Sequence, residues 1–178
     1  MANTSIEKTE AIQRFLGYAA EYLAEFSNAI DKTQALRFME HFLIFLTAAV
    51  QNFKPKNMKA PSIDMFLADD KWHQVCWLWE ARNTVAHDYM KFHTPDAVLE
   101  FGGYESAVFV SGFFFLDVSR YDSKKKEYEV ISAPAENALQ VCRNGLEFWN
   151  FVFRKIHATP TGARNFDLPT LWNNFNSR

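Results

Sequence analysis

The chain has 178 residues, 48% hydrophobic and 22% charged, which excludes a disordered polypeptide. That length suits one domain spanning 1–178 with an insertion. The formal net charge of −2 excludes a global basic field that would draw in nucleic acid, so any such binding must come from a local patch or from a site built by two subunits. The 18 Phe and 5 Trp supply large core volume and hint at more apolar surface than a monomer can bury. Cys76 and Cys142 form no C-x-x-C and no disulfide framework. They are expected as small buried hydrophobes in a reducing compartment. Residues 1–10 are polar and lack an apolar signal core, and no apolar run approaches the roughly 18 residues of a membrane span. The expectation is a cytoplasmic protein with no membrane association.

Ser5 to Ile30 reads as the first helix, with Ile12, Phe15, Leu16, Ala19, Tyr22, Leu23 and Phe26 recurring on one face. Asp31-Lys32-Thr33-Gln34 has the capping-box pattern and opens a second helix to about Phe53. Its core face is Leu36, Met39, Phe42, Leu43, Leu46 and Val50. So short a connection predicts an antiparallel helical hairpin. Lys54 to Pro61 is a loop bounded by prolines and holding three lysines. It reads as a solvated connector, with a phosphate-contacting edge as the second reading.

Ser62 or Asp64 can cap a third helix continuing to about Phe92. Its stripe of Trp72, Val75, Trp79, Ala86 and Met90 is expected to lie against other helices or a partner subunit. Thr94-Pro95-Asp96 predicts a short helical turn, ended by Gly102-Gly103. From Ala107 to Ala133 the runs Val108–Val110, Phe113–Val118 and Glu127–Ile131 are β-prone, with a turn at Asp122 to Lys126. They predict a β-hairpin inserted in a helical protein, with its Phe face on the core or on a second subunit. Lys124, Lys125 and Lys126 read as a plain charged turn, with an RNA-contacting tip as the second reading. Pro134 to His157 is the last long helix, with Leu139, Cys142, Leu146, Trp149, Val152 or Phe153, and Ile156 on its face. The aromatic tail from Arg164 to Arg178 is expected to pack on the body or on a neighbour.

Inside the third helix, Trp79 to Tyr89 reads W-E-A-R-N-T-V-A-H-D-Y. At about 100° per residue, Asn83 and His87 stack one turn apart, as do Arg82 and Tyr89 two turns apart. Arg82 and His87 border one broad face, with the small Ala86 between them. Arg presents a permanently charged fork that suits phosphate oxygens. His can donate or accept a proton near neutral pH, and an Asn one turn before it can fix the ring. That combination suits phosphodiester cleavage.

The string Arg82-Asn83-Thr84-Val85-Ala86-His87-Asp88-Tyr89 resembles the R-x4-H signature of HEPN ribonucleases, in the R-N-x3-H-x-Y form of HepT-type toxins. The resemblance implies an antiparallel helical bundle, a homodimer pairing two copies of the motif, and RNA cleavage without a metal. It assigns catalysis to Arg82 and His87, with Asn83 orienting His87 or touching phosphate. It makes Tyr89 a possible site of AMP attachment by a nucleotidyltransferase antitoxin. The match is confined to this string, and downstream an extra apolar segment stands where the family has a short final helix. The expected fold is therefore mainly α, a HEPN-like bundle with the inserted hairpin. The rival reading is a non-catalytic HEPN-like dimer that binds a nucleotide or a protein in the same cleft. A third is a structural oligomer held by aromatic surface.

His41, His73, His93 and His157 form no metal pattern, and zinc spacings, a phosphate-cradling glycine loop and a G-x-S-x-G elbow are missing from the sequence. No metal and no cofactor is expected. His73 and His93, placed on the motif's own segment, could line the cleft.

Overall fold

The computed structural model describes residues 3–53, 73–75, 77–78, 81, 92–93, 98–100, 107–109, 114–122, 125–158 and 168–177. These residues are mainly helical. Helix α1 is Asn3–Ser27 and α2 is Lys32–Phe53. Residues 73–75, 77–78 and 81 are helical and are called α3 below. Helix α4 is Ala138–Ala158 and α5 is Leu168–Asn176. No helix among the described residues is long and apolar enough to cross a membrane.

The first two helices form the expected hairpin. Ile12, Leu16, Ala19, Leu23 and Phe26 keep one face of α1 buried, at alternating spacings of four and three. Phe15 and Tyr22, expected beside them, are only half-buried at the seam. There they meet α2 through ring contacts: Tyr22 with His41 (4.8 Å) and Phe45 (5.6 Å), and Phe15 with Phe45 (6.2 Å). Later residues of α1 thus meet earlier residues of α2, as antiparallel packing requires. Helix α1 stops at Ser27 rather than Ile30. The Ser27 hydroxyl and the Asn28 amide both donate to the Ala24 carbonyl, at 2.6 and 3.0 Å, closing the last turn. The cap of α2 is as predicted: the Gln34 amide nitrogen donates to Asp31 Oδ1 (2.9 Å). The returning bond runs from the Ile30 amide to Gln34 Oε1 (3.5 Å), one residue before the cap.

Helix α4 is the centre of the core. It contacts α1, α2 and α5. Val141, Cys142, Phe148, Trp149, Phe151, Val152, Phe153 and Ile156 are all buried, so the apolar residues wrap most of its girth. Each large side chain so buried stabilises by about 1.5–3 kcal/mol. The helix begins at Ala138 rather than Pro134. Asn137 Oδ1 accepts from the Leu139 amide (2.8 Å), so Asn137 is the cap and Pro134 lies in the connection before it. The tail packs on the body as expected: Leu171 and Trp172 of α5 are buried, and Trp172 and Phe175 meet Phe148 edge-on at 5.3 and 5.6 Å.

The strands correct the sequence reading. Among the described residues there are three two-stranded antiparallel ladders: β1 (Phe92–His93) with β4 (Phe114–Phe115), β2 (Val98–Glu100) with β3 (Ala107–Phe109), and β5 (Val118–Asp122) with β6 (Glu127–Ile131). The predicted hairpin is β5–β6, with its turn where Asp122 to Lys126 placed it. The run at 107–109 instead pairs backward, Val98 with Phe109 and Glu100 with Ala107. The third helix therefore ends before Phe92, and 98–100 is strand rather than helical turn. The ladder joins β-prone side chains, Val98 and Leu99 to Phe109 and Val108, and that pairing outweighs the local helix-start signal of Thr94-Pro95 in the sequence.

Candidate functional site

The motif residues Arg82, Asn83, His87 and Tyr89 lie outside the described residues, as do Trp72, Trp79, Ala86 and Met90 of the predicted stripe. The structure describes the mount that leads into them. Gln74, Trp77, Leu78 and Ala81 are buried at spacings of three, four and seven, the signature of one helical face, and Val75 is buried beside it.

That face is held by α4 and by the strands. Asn144 Nδ2 donates to Gln74 Oε1 (2.7 Å), and Gln140 Nε2 donates in turn to Asn144 Oδ1 (2.8 Å). Gln74 is 1% exposed, and its burial would be costly without such a partner. One residue along α4, Gly145 faces Leu78, and a Cβ there would run into Leu78 Cδ1. The missing side chain is what lets α3 and α4 approach so closely. Trp77 stacks tilted on Phe115 of β4, with centroids 4.2 Å apart. Its Nε1 has no hydrogen-bond partner among the described residues. His73, half-buried, has Nε2 2.8 Å from the Ser132 carbonyl oxygen and so ties α3 to the end of β6.

Only Val75 of the predicted stripe is among the described residues, and it is buried. Gln74, Trp77, Leu78 and Ala81 are buried with it, and the sequence reading did not include these four. The polar Gln74 interrupted its apolar phase. The signal that could have found it is the matching amide at Asn144, seventy residues away.

The other candidates are dispersed. His93 lies in β1, with Phe114 as its Cα partner, and so is not on a helix. Lys125 and Lys126 are exposed in the β5–β6 turn, and Lys124 lies outside the described residues. Lys126 has φ 57°, the left-handed region that a lysine seldom adopts. His41 Nδ1 is 2.7 Å from the Arg37 carbonyl oxygen, and His157 meets the Phe153 ring edge-on at 4.4 Å. Cys142 is buried beside Met39, its Sγ 3.4 Å from the Met39 sulfur, and burial pushes its thiol pKa well above the ordinary value. Among the described residues no three His, Cys, Asp or Glu side chains are grouped so as to hold a metal ion. No protein-family model, curated protein or solved structure matches the chain.

Proposed function

We propose that this protein is a metal-independent endoribonuclease of the HEPN type, a cytoplasmic toxin or phage-defence effector that works as a homodimer. The observation that carries the reading is the string Arg82-Asn83-Thr84-Val85-Ala86-His87-Asp88-Tyr89, which begins one residue after the anchored Ala81. On this reading a ribose 2′-hydroxyl attacks the adjacent phosphorus. His87 transfers the proton, and Arg82 stabilises charge developing on the phosphoryl oxygens. Asn83 orients the imidazole or contacts phosphate. Tyr89 is the candidate acceptor of AMP from a nucleotidyltransferase partner.

The test is RNA cleavage in EDTA by the wild type, His87→Ala and Arg82→Lys, with circular dichroism and gel filtration alongside. His87→Ala is expected to lose at least about 100-fold in rate while staying folded and dimeric. Arg82→Lys is expected to fail as well, because an ammonium keeps the charge but not the bidentate fork. A folded His87→Ala protein that cuts RNA at the wild-type rate ends the proposal. RNA or nucleotide binding without cleavage in the wild type would favour the non-catalytic module.

A further inference from the structure

The hairpin of α1 and α2 carries an aromatic seam that the core leaves open. On α1, Arg14, Tyr18, Glu21 and Glu25 follow one another at spacings of four, three and four, and so line one row of the helix. Arg37, His41, Ile44 and Ala48 repeat those spacings on α2. None of the residues in the two rows is buried. Between the rows lie the half-buried rings of Phe15, Tyr22 and Phe45. Tyr22 stacks on both His41 and Phe45, and Tyr18 stands edge-on to Phe45 at 5.1 Å. Tyr18 is 38% exposed and Ile44 51%, so apolar surface continues from the seam into both rows.

The charges at its borders say what fits over the seam. Tyr22 sets the level of the two helices by meeting His41 and Phe45. Glu25 lies about one turn beyond Tyr22, and Arg37 about one turn before His41, so the two stand at one level on opposite borders. A two-fold axis laid along the seam, parallel to the helices, sets α1 of one copy over α2 of the other with the level unchanged. Glu25 then meets the partner's Arg37, and Arg37 meets the partner's Glu25, at both edges of the contact. Arg14 falls at the other end, where the α2 row holds the uncharged Ala48. The size is sufficient as well. Helix α2 has 22 residues, so the face is about 33 Å long and, across two helices, about 20 Å wide. Two such faces closed on each other bury about 1,300 Å², above the roughly 1,000 Å² that a specific interface needs.

We propose that the α1–α2 seam is an interface with a second copy of this chain, in which α1 of each copy lies along α2 of the other and Glu25 pairs with the partner's Arg37. The aromatic rings supply most of the affinity, and the charged borders fix the orientation. The interface lies on α1 and α2 and not on the Arg82–His87 string, so it does not rest on the ribonuclease reading.

The experiment is sedimentation of the full chain at low salt, for the wild type, for Glu25→Arg and Arg37→Glu separately, and for the two variants mixed in equal amounts. Both positions are exposed, and circular dichroism checks that the fold is kept. Either variant alone sets like charges against each other at both edges and should weaken association at least about 10-fold. In the mixed pair each edge again joins opposite charges, so mixing should restore the wild-type mass. Tyr18→Ala removes an aromatic anchor and should also weaken association at least about 10-fold. Where the motif pairs copies as well, the wild type is a tetramer and each charge variant a dimer; where it does not, they are dimer and monomer. Both patterns support the seam.

A wild type that is monomeric overturns the proposal. So does an assembly indifferent to both charge reversals, which would leave pairing through the motif as the source of any dimer. Reversals that weaken association but are not rescued by mixing overturn it too, since Glu25 and Arg37 would not then face each other across the contact.

Discussion

Replacing Gly145 with Ala tests whether α3 is seated on α4 as closely as the geometry requires. Two opposing terms decide the outcome. In a helix interior Gly→Ala stabilises by about 0.8–1 kcal/mol through propensity alone. Against this, the new methyl would occupy the space of Leu78 Cδ1. Leu78 is 2% exposed, so its side chain has no solvent to swing into and must take a poorer rotamer or push α3 away. Overpacking of this kind costs about 1–3 kcal/mol. The expected net loss is about 1 kcal/mol, or a drop of about 2–4 °C in Tm for a chain of this size.

The molecule carries its own control. Gly17 is exposed in α1, and a Cβ there meets nothing within 4 Å. Gly17→Ala should therefore show the propensity gain alone and stabilise by about 0.8–1 kcal/mol. Urea denaturation of both variants gives a difference in which helix propensity cancels, expected at about 1–3 kcal/mol. Adding Leu78→Ala closes the cycle. That change alone should cost about 2–5 kcal/mol, and the double variant should fall short of additivity by at least about 1 kcal/mol as the methyl introduced by Gly145→Ala gains room. If Gly145→Ala stabilises as much as Gly17→Ala, the helices do not meet at Leu78 and the reasoning fails.

Asn144→Ala strips the donor from buried Gln74 Oε1 and should cost about 1–3 kcal/mol in urea denaturation; adding Gln74→Leu should recover part of that loss, because no acceptor is then left unpaired. Cys142 should resist alkylation in the native state in a Cys76→Ser background and react only on unfolding. Its raised thiol pKa also sets a sign: stability is fully present below the ordinary thiol value, and above it the unfolded chain releases the proton first. Stability should then fall with rising pH by up to about 1.4 kcal/mol per unit, and a Cys142→Ala variant measured over the same range should lose that slope.

The sequence speaks most clearly where structure is local. Asp31 and Gln34 announce the start of α2 because a cap is a contact between residues three apart, and the structure shows that bond at 2.9 Å. The turn at Asp122 to Lys126 was legible for the same reason. The partner of residues 107–109 was not. Pairing Val98 with Phe109 reaches across Gly102-Gly103, and Thr94-Pro95 just ahead of Val98 reads in the sequence as a helix start. The inward face of α3 was hidden in another way. A buried glutamine contradicts the apolar period, and only the Asn144 amide on a different helix makes it acceptable. The aromatic tail was legible as something that must be covered, though not as what covers it, since Trp172 meets Phe148 across a long stretch of chain.

The contacts that hold α3 differ in what they fix, and the difference matters for any chemistry placed just beyond Ala81. Apolar packing of Trp77 on Phe115 resists separation but tolerates small rotations. The Gly145 notch sets how near α3 comes to α4, because any side chain there would widen the gap. The Gln74–Asn144 bond sets rotation: turning α3 by one residue's worth, about 100°, would bury the amide without a partner, at a cost that packing alone does not impose. His73, bonded to the carbonyl of Ser132 just past β6, fixes the same helix from a second direction. A binding or catalytic group works only when held within about 0.5 Å and 10–20° of its productive geometry by such surroundings. On the ribonuclease reading, the buried polar pair is therefore more than a tolerated impurity in the core. It sets the rotation of α3 as far as Ala81, while the bulky side chains around it supply most of the stability.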